Sequence, residues 1–137
     1  YAVRLGGGRN HRLGLYDAVL IKNNHLTAVG SIGEAVRQAK ARAHPQLTIE
    51  VEVTDLQGLK EALDAGAHRI LLDNMDDAAL RQAVAITRGR AWLEASGGMT
   101  EERLPGVAAT GVNFISMGAL THQARSVDLS MKLKLLT

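Results

Sequence analysis

Asp17-Ala18-Val19-Leu20-Ile21-Lys22-Asn23-Asn24-His25 is the stretch on which the fold turns. Ala18 to Ile21 is a short apolar run with two β-branched residues, and it reads as a buried strand. The run stops abruptly in a cation, two amides and an imidazole. A buried parallel strand that ends this way carries polar groups at its C-terminal end, where α/β sheets and barrels bind their ligands. One such strand followed by a polar loop would mean little; this one is the first of five.

Downstream, Ser31 opens a helix with Glu34 three residues on, a capping box, and Ala35, Val36 and Ala39 give it an apolar stripe that ends near His44-Pro45. Leu47 to Val53 is the second strand, with Glu50 and Glu52 on one face. In a barrel, a carboxylate on either strand face needs a partner. Thr54 and Gln57 are read as the cap of the next helix, with Leu56, Leu59 and Leu63 at helical spacing. The third strand, Arg69 to Leu72, ends in Asp73-Asn74, and Asp76-Asp77 start another helix. The fourth, Ala91 to Leu93, ends in Glu94-Ala95-Ser96-Gly97-Gly98. Pro105 and Gly106 predict a short or kinked helix after it. Val112 to Met117 is the fifth strand, followed by a short helix from Ala119 to Arg125 and a mixed tail.

The strand ends Lys22, Glu52, Asp73, Glu94 and Gly118 are spaced by 30, 21, 21 and 24 residues. This is a βα repeat without visible sequence identity between units. One helix after each strand, with chemistry-bearing residues at every strand end, predicts a (β/α) barrel rather than a doubly wound sheet. A barrel needs more than five strands. Residues 1–137 are therefore expected to be part of one catalytic α/β-barrel domain, with at least one strand and an N-terminal domain upstream of Tyr1.

Composition narrows the function. The net charge is +2 and aromatic residues make up 3%, which argues against a nucleic-acid face. No apolar run approaches the roughly 18 residues of a membrane span. The absence of cysteine removes thiolate chemistry and makes a cytoplasmic setting the expectation. Gly6-Gly7-Gly8 is neither a dinucleotide fingerprint nor a P-loop; it reads as a flexible turn before Asn10, His11 and Arg12. The candidate site collects His11, Arg12, Lys22, Glu52, Asp73, Ser96, Gly97, Gly98, Gly118 and His122. Cations come early, carboxylates in the middle, and glycine turns late, where barrels hold phosphate on backbone amides. Glu52 and Asp73, one βα unit apart, could hold Mg²⁺ through water, accept ribose hydroxyls or work as an acid–base pair; the alternative is a salt bridge to Lys22 or Arg69. No pair of histidines has metal-ligand spacing, so zinc is not expected. The residues alone point to a phosphate-bearing anionic substrate in a barrel mouth.

Six motifs in order then resemble the quinolinate phosphoribosyltransferase family. They are Gly-Gly-Gly-Arg-Asn-His-Arg-Leu-Gly-Leu-Tyr-Asp (6–17), Leu-Ile-Lys-Asn-Asn-His (20–25), Glu-Val-Glu-Val (50–53), Leu-Leu-Asp-Asn (71–74), Glu-Ala-Ser-Gly-Gly (94–98) and Gly-Val-Asn-Phe-Ile-Ser-Met-Gly-Ala-Leu-Thr-His (111–122). The resemblance implies phosphoribosyl transfer from phosphoribosyl pyrophosphate (PRPP) to quinolinate with decarboxylation. The products would be nicotinate mononucleotide, pyrophosphate and CO₂, in NAD biosynthesis, with Mg²⁺ as cofactor. Carried over residue by residue, His11, Arg12 and Lys22 would bind quinolinate, with Lys22, Glu52 and Asp73 catalytic. Glu52 and Asp73 would hold ribose and Mg²⁺. Ser96, Gly97, Gly98, Met117, Gly118, Ala119 and His122 would hold the phosphates. The family's Arg-Lys-Thr motif and its N-terminal domain, which gives an arginine to the partner subunit's site, would lie upstream. The resemblance thus implies a homodimer or higher homo-oligomer, and neither full activity nor an ordinary dimer from residues 1–137 alone. Asn23 stands where the family often has an acid. The alternatives are a molybdenum-transport-associated barrel relative, against which Lys22 argues, and a non-catalytic phosphate-binding barrel fragment.

Overall fold

Apolar residues at every second position of each strand set the layers of the molecule. The structure, a computed structural model, describes residues 1–135. Its elements run α1 (Ala2–Leu5), β1 (Ala18–Ile21), α2 (Asn23–Val29), α3 (Ile32–Arg42), β2 (Thr48–Val53), α4 (Leu56–Asp64), β3 (Arg69–Asp73), α5 (Asp77–Thr87), β4 (Trp92–Ser96), α6 (Leu104–Ala108), β5 (Phe114–Ile115) and α7 (Ala119–His122). A 3₁₀ turn, Glu101–Arg103, leads into α6. The five strands are all parallel and lie in sequence order. A doubly wound sheet would reverse its order and carry helices on both faces. Here α2 to α6 pack each against the next along one face, so the sheet is the arc of a (β/α) barrel.

Ile49, Val51, Val53, Ile70, Leu72, Leu93 and Ala95 point at the helices and are at most 2% exposed. Val36, Leu59, Ala62, Leu80, Ala83 and Val107 meet them from the helix side. This one-sided core is where the hydrophobic stabilisation lies.

Several boundaries differ from the sequence reading. The cap of α4 is Asp55, whose carboxylate accepts the Gly58 N–H at 2.7 Å, while Gln57 reaches Glu61 instead of Thr54. Asp and Thr both suit the position, and the pattern alone did not separate neighbours. β4 extends to Ser96, so Glu94 lies inside the strand rather than at its end. β5 is only two residues long and α7 stops at His122. The polar segment after Lys22 is itself a helix, α2, closed by Gly30 at φ 93°. Its polar residues hid the helical period.

Candidate functional site

The strand residues that point away from the helices form the second face of the sheet. In register, Leu20 lies beside Glu50, Glu50 beside Arg69, and Arg69 beside Trp92. One row further along, Glu52 lies beside Leu71, Leu71 beside Glu94, and Glu94 beside Phe114. Asp73 pairs with Ser96 at the C-terminal edge. Lys22 follows Ile21 of β1, one position beyond the Ile21–Val51 pair. Lys22, Glu52, Asp73 and Ser96 therefore share one face and one end of the sheet, because strand residues alternate faces with period two.

Residues 9–12 reach this face. His11 Nε2 sits 2.9 Å from Glu50 Oε2 and 3.7 Å from Glu94 Oε1. Arg69 Nη1 lies 3.3 Å from Glu94 Oε2 and 4.0 Å from Glu50 Oε2. Ser116 donates its hydroxyl to Glu94 Oε1. The Arg69 guanidinium also rests 4.5 Å from the Phe114 ring centroid. Glu50 and Glu94 are each only 2% exposed. Two anions buried side by side require two cations, and His11 and Arg69 supply them.

Two titrating groups are shifted by this arrangement. The hydrogen bond to Glu50 holds the His11 imidazole above its ordinary value of 6.5, against the opposing effect of burial. Burial pushes the Glu94 carboxyl up, with the Glu50 charge adding to it and the Ser116 hydroxyl opposing. His11, Glu50 and Glu94 bring ligand atoms within 4.8 Å of one another. A metal ion would have to share that space with the Arg69 guanidinium, so the group fits an ion-pair network better than a metal site.

Glu52 and Asp73 are held differently. Asn23 Nδ2 donates to Glu52 Oε1 at 2.8 Å, and Asn74 Nδ2 donates to Asp73 Oδ2 at 2.9 Å. Neither carboxylate is in an ion pair among the described residues, so the salt bridge to Lys22 or Arg69 weighed from the sequence does not form. Each keeps one oxygen without a protein donor among those residues.

The late glycine turns face a cavity of about 630 Å³. Ser96, Gly97, Gly98, Met117, Gly118 and His122 line it, and so do His11 and Arg12. Gly97 and Gly98 have φ of 89° and 56°, conformations that side-chain-bearing residues resist. Among the described residues, the backbone N–H groups of Gly97, Gly98, Met117 and Gly118 donate to no other backbone carbonyl. Successive free N–H groups of this kind make an anion-binding concavity. The His122 ring lies over Gly118, where a Cβ would force that ring to move.

Of the residues singled out from the sequence, His11, Arg12 and the glycine turns with His122 share the cavity. Lys22, Glu52 and Asp73 stand on the same end of the sheet outside its lining, as does Ala119. The sequence reading requires a partner for the carboxylates of β2 and weighs Arg69 as one for Glu52 or Asp73; the structure pairs Arg69 with Glu50 and Glu94 instead, and gives the two asparagines a role the sequence reading does not assign.

Three comparisons bear on this geometry. The family model described as quinolinate phosphoribosyl transferase, C-terminal domain, matches residues 1–132. A Bacillus subtilis protein named "Probable nicotinate-nucleotide pyrophosphorylase (carboxylating)" is 48% identical over 135 residues, covering 98% of this chain and 47% of its own length. A Mycobacterium leprae nicotinate-nucleotide pyrophosphorylase (carboxylating) is 46% identical over 136 residues, covering 97% of this chain and 48% of that one. Among solved structures, the nicotinate-nucleotide pyrophosphorylase from Francisella tularensis superposes with a TM-score of 0.89 at 46% identity, over 95% of this chain and 46% of that chain. The chain spans about half the length of the curated relatives it matches.

Proposed function

The chain belongs to the quinolinate phosphoribosyltransferase family, and from that premise we propose that it carries much of the active site of a decarboxylating phosphoribosyltransferase. The reaction joins quinolinate to PRPP and yields nicotinate mononucleotide, pyrophosphate and CO₂. The observation that supports it best is the shared polar end of the sheet: a lysine without an ion pair among the described residues, two hydrogen-bonded carboxylates and two glycine turns, at the end of the sheet that a histidine and an arginine also approach.

The charges suit the substrates. Quinolinate is a dianion. The His11 charge is already balanced by Glu50, so Arg12 and Lys22 contribute the surplus positive charge. Lys22 has no ion-pair partner among the described residues. The 5′-phosphate is read onto the 96–98 and 117–119 turns. Departure of pyrophosphate from the ribose C1 builds positive charge on the sugar, and Glu52 and Asp73 would stabilise it there. Their unshared oxygens also suit Mg²⁺, a hard cation that takes one or two carboxylates and completes its shell with water and substrate phosphate. The ion, when bound, would neutralise the departing pyrophosphate. Once the ring nitrogen is ribosylated, loss of the neighbouring carboxylate needs chiefly orientation and charge. A homodimer or higher homo-oligomer in a cytoplasmic setting completes the reading; the lack of cysteine supports the compartment.

The test is quinolinate-dependent CO₂ release by the protein as its gene encodes it, with PRPP and Mg²⁺, and with nicotinate as control substrate. Release with quinolinate and none with nicotinate bears the reading out. A folded protein that releases none overturns it. Lys22→Ala is expected to abolish quinolinate binding and leave PRPP binding in place; loss of both would make Lys22 structural.

A further inference from the structure

Asn74 holds a left-handed backbone in the short turn between β3 and α5. Among the described residues it is one of two non-glycine residues with positive φ, at 54°. The other, Arg88, is the left-handed C-cap of α5, a position where that conformation satisfies helix-end carbonyls. Asn74 caps nothing. It lies directly after β3, two residues before Asp76, which caps α5.

Three close approaches surround this residue. The Asn74 side-chain amide donates to Asp73 Oδ2 at 2.9 Å. The Asn74 backbone N–H donates to the Ser96 carbonyl at 2.9 Å. The side-chain carbonyl lies so close over Gly97 that a Cβ at that position would collide with it and would stand 2.9 Å from the Asn74 backbone nitrogen. Asn74 thus touches Asp73 on one side and the 96–98 turn on the other, and Gly97 has no room for any side chain. An outlier held by its surroundings at a strand end is the kind that serves a site.

We propose that Asn74 is a positioning residue that fixes the Asp73 carboxylate relative to the Ser96–Gly98 turn. It would set the spacing between the ribose hydroxyls and the 5′-phosphate of the phosphoribosyl donor. The inference rests on reading Asp73 and the turn as the PRPP site. It assigns the donor's fit to a residue that touches neither the ribose nor the phosphate. Quinolinate, held by His11, Arg12 and Lys22, should not sense it.

Asn74→Gly tests this in the full gene product. Glycine keeps the left-handed backbone without strain, so the fold is preserved while both side-chain contacts go. The PRPP KM is expected to rise about 10-fold, the range seen when a supporting hydrogen bond to a working ligand is removed, with kcat falling as well. The quinolinate KM stays within about two-fold, because among the described residues Asn74 makes no hydrogen bond to His11, Arg12 or Lys22. Asn74→Asp, the same shape with the donor replaced by a second acceptor, should lose more, because two carboxylates then face each other. Asp73→Ala is the control. If it disrupts PRPP kinetics while Asn74→Gly and Asn74→Asp leave them unchanged, the positioning role is overturned and the reading of the site stands. If Asp73→Ala itself leaves PRPP kinetics unchanged, the site reading fails and the proposal fails with it. A quinolinate KM that rises together with the PRPP KM in Asn74→Gly also overturns it, because that pattern marks a general structural role.

Discussion

Residues decide how this molecule responds to pH. His11 titrates above its ordinary value because Glu50 accepts its proton-bearing nitrogen. A base whose value is raised by folding adds stability that is complete below the unfolded value and is lost as pH rises through the folded one. The buried Glu94 carboxyl has the same sign, since its value is also raised. The half-buried Asp17 works the other way. The backbone N–H groups of Leu13 and Gly14 hold it below its ordinary value of 3.8, so its contribution is lost as pH falls. Stability should therefore be highest near the ordinary carboxylate range and decline as pH rises, first through Glu94 and then through His11. A thermal-midpoint scan from acid to alkaline pH checks this; in His11→Gln the decline above neutrality should flatten, and an unchanged slope would sink the assignment. Arg69→Met removes the cation that faces both buried carboxylates. It should cost about 3–5 kcal/mol in denaturant titration, as breaking a buried pair does. Arg69→Lys should recover part of that, keeping charge but not the flat contact with Phe114.

At the level of elements, the chain is most legible where one physical rule governs alone. Strands β2 and β3 stand out because Ile49, Val51, Val53, Ile70 and Leu72 must be dry on one face, and only alternation achieves that. The βα period follows, and with it the barrel. Caps are less legible, because Thr54 and Asp55 are both good caps and the chain geometry chooses between them. Asp55→Ala should cost about 1 kcal/mol in stability, while Thr54→Ala should stay within about 0.5 kcal/mol. Equal losses from both would return the cap to a shared role. The helix α2 was hidden because Asn23, Asn24, His25 and Thr27 satisfy loop statistics as well as a solvated helix face. His25 caps it by accepting the Lys22 backbone N–H at 2.9 Å. The candidate site divides in the same way. Lys22, Glu52 and the glycine turns announce themselves at strand ends. Glu50 and Glu94 sit inside strands, and their importance depends on a partner, His11, that arrives from far along the chain. Such a contact has no local signature.

At the scale of the whole molecule, the polypeptide of residues 1–137 leaves a large share of its apolar surface uncovered. Val127, Leu129, Met131, Leu133 and Leu135 are 77%, 85%, 83%, 88% and 91% exposed. They alternate strictly with Asp128, Ser130, Lys132 and Lys134, which is the pattern of a strand with one apolar face, yet no sheet pairs with them among the described residues. Strands β1 and β5 are both edges of the sheet, and Trp92 is 56% exposed on its polar face. Unpaired edges with an amphipathic extended segment are templates for association, and a net charge of +2 offers little repulsion against it. Produced alone, this polypeptide should therefore self-associate in a concentration-dependent way, measured by light scattering coupled to size exclusion. Substituting Leu129→Lys together with Leu133→Lys breaks the apolar face without touching the core or any residue of the site, and should shift the distribution toward monomer. A monodisperse monomer of the unaltered polypeptide at high concentration would overturn this expectation, because the exposed alternating segment and the two sheet edges would then not drive association.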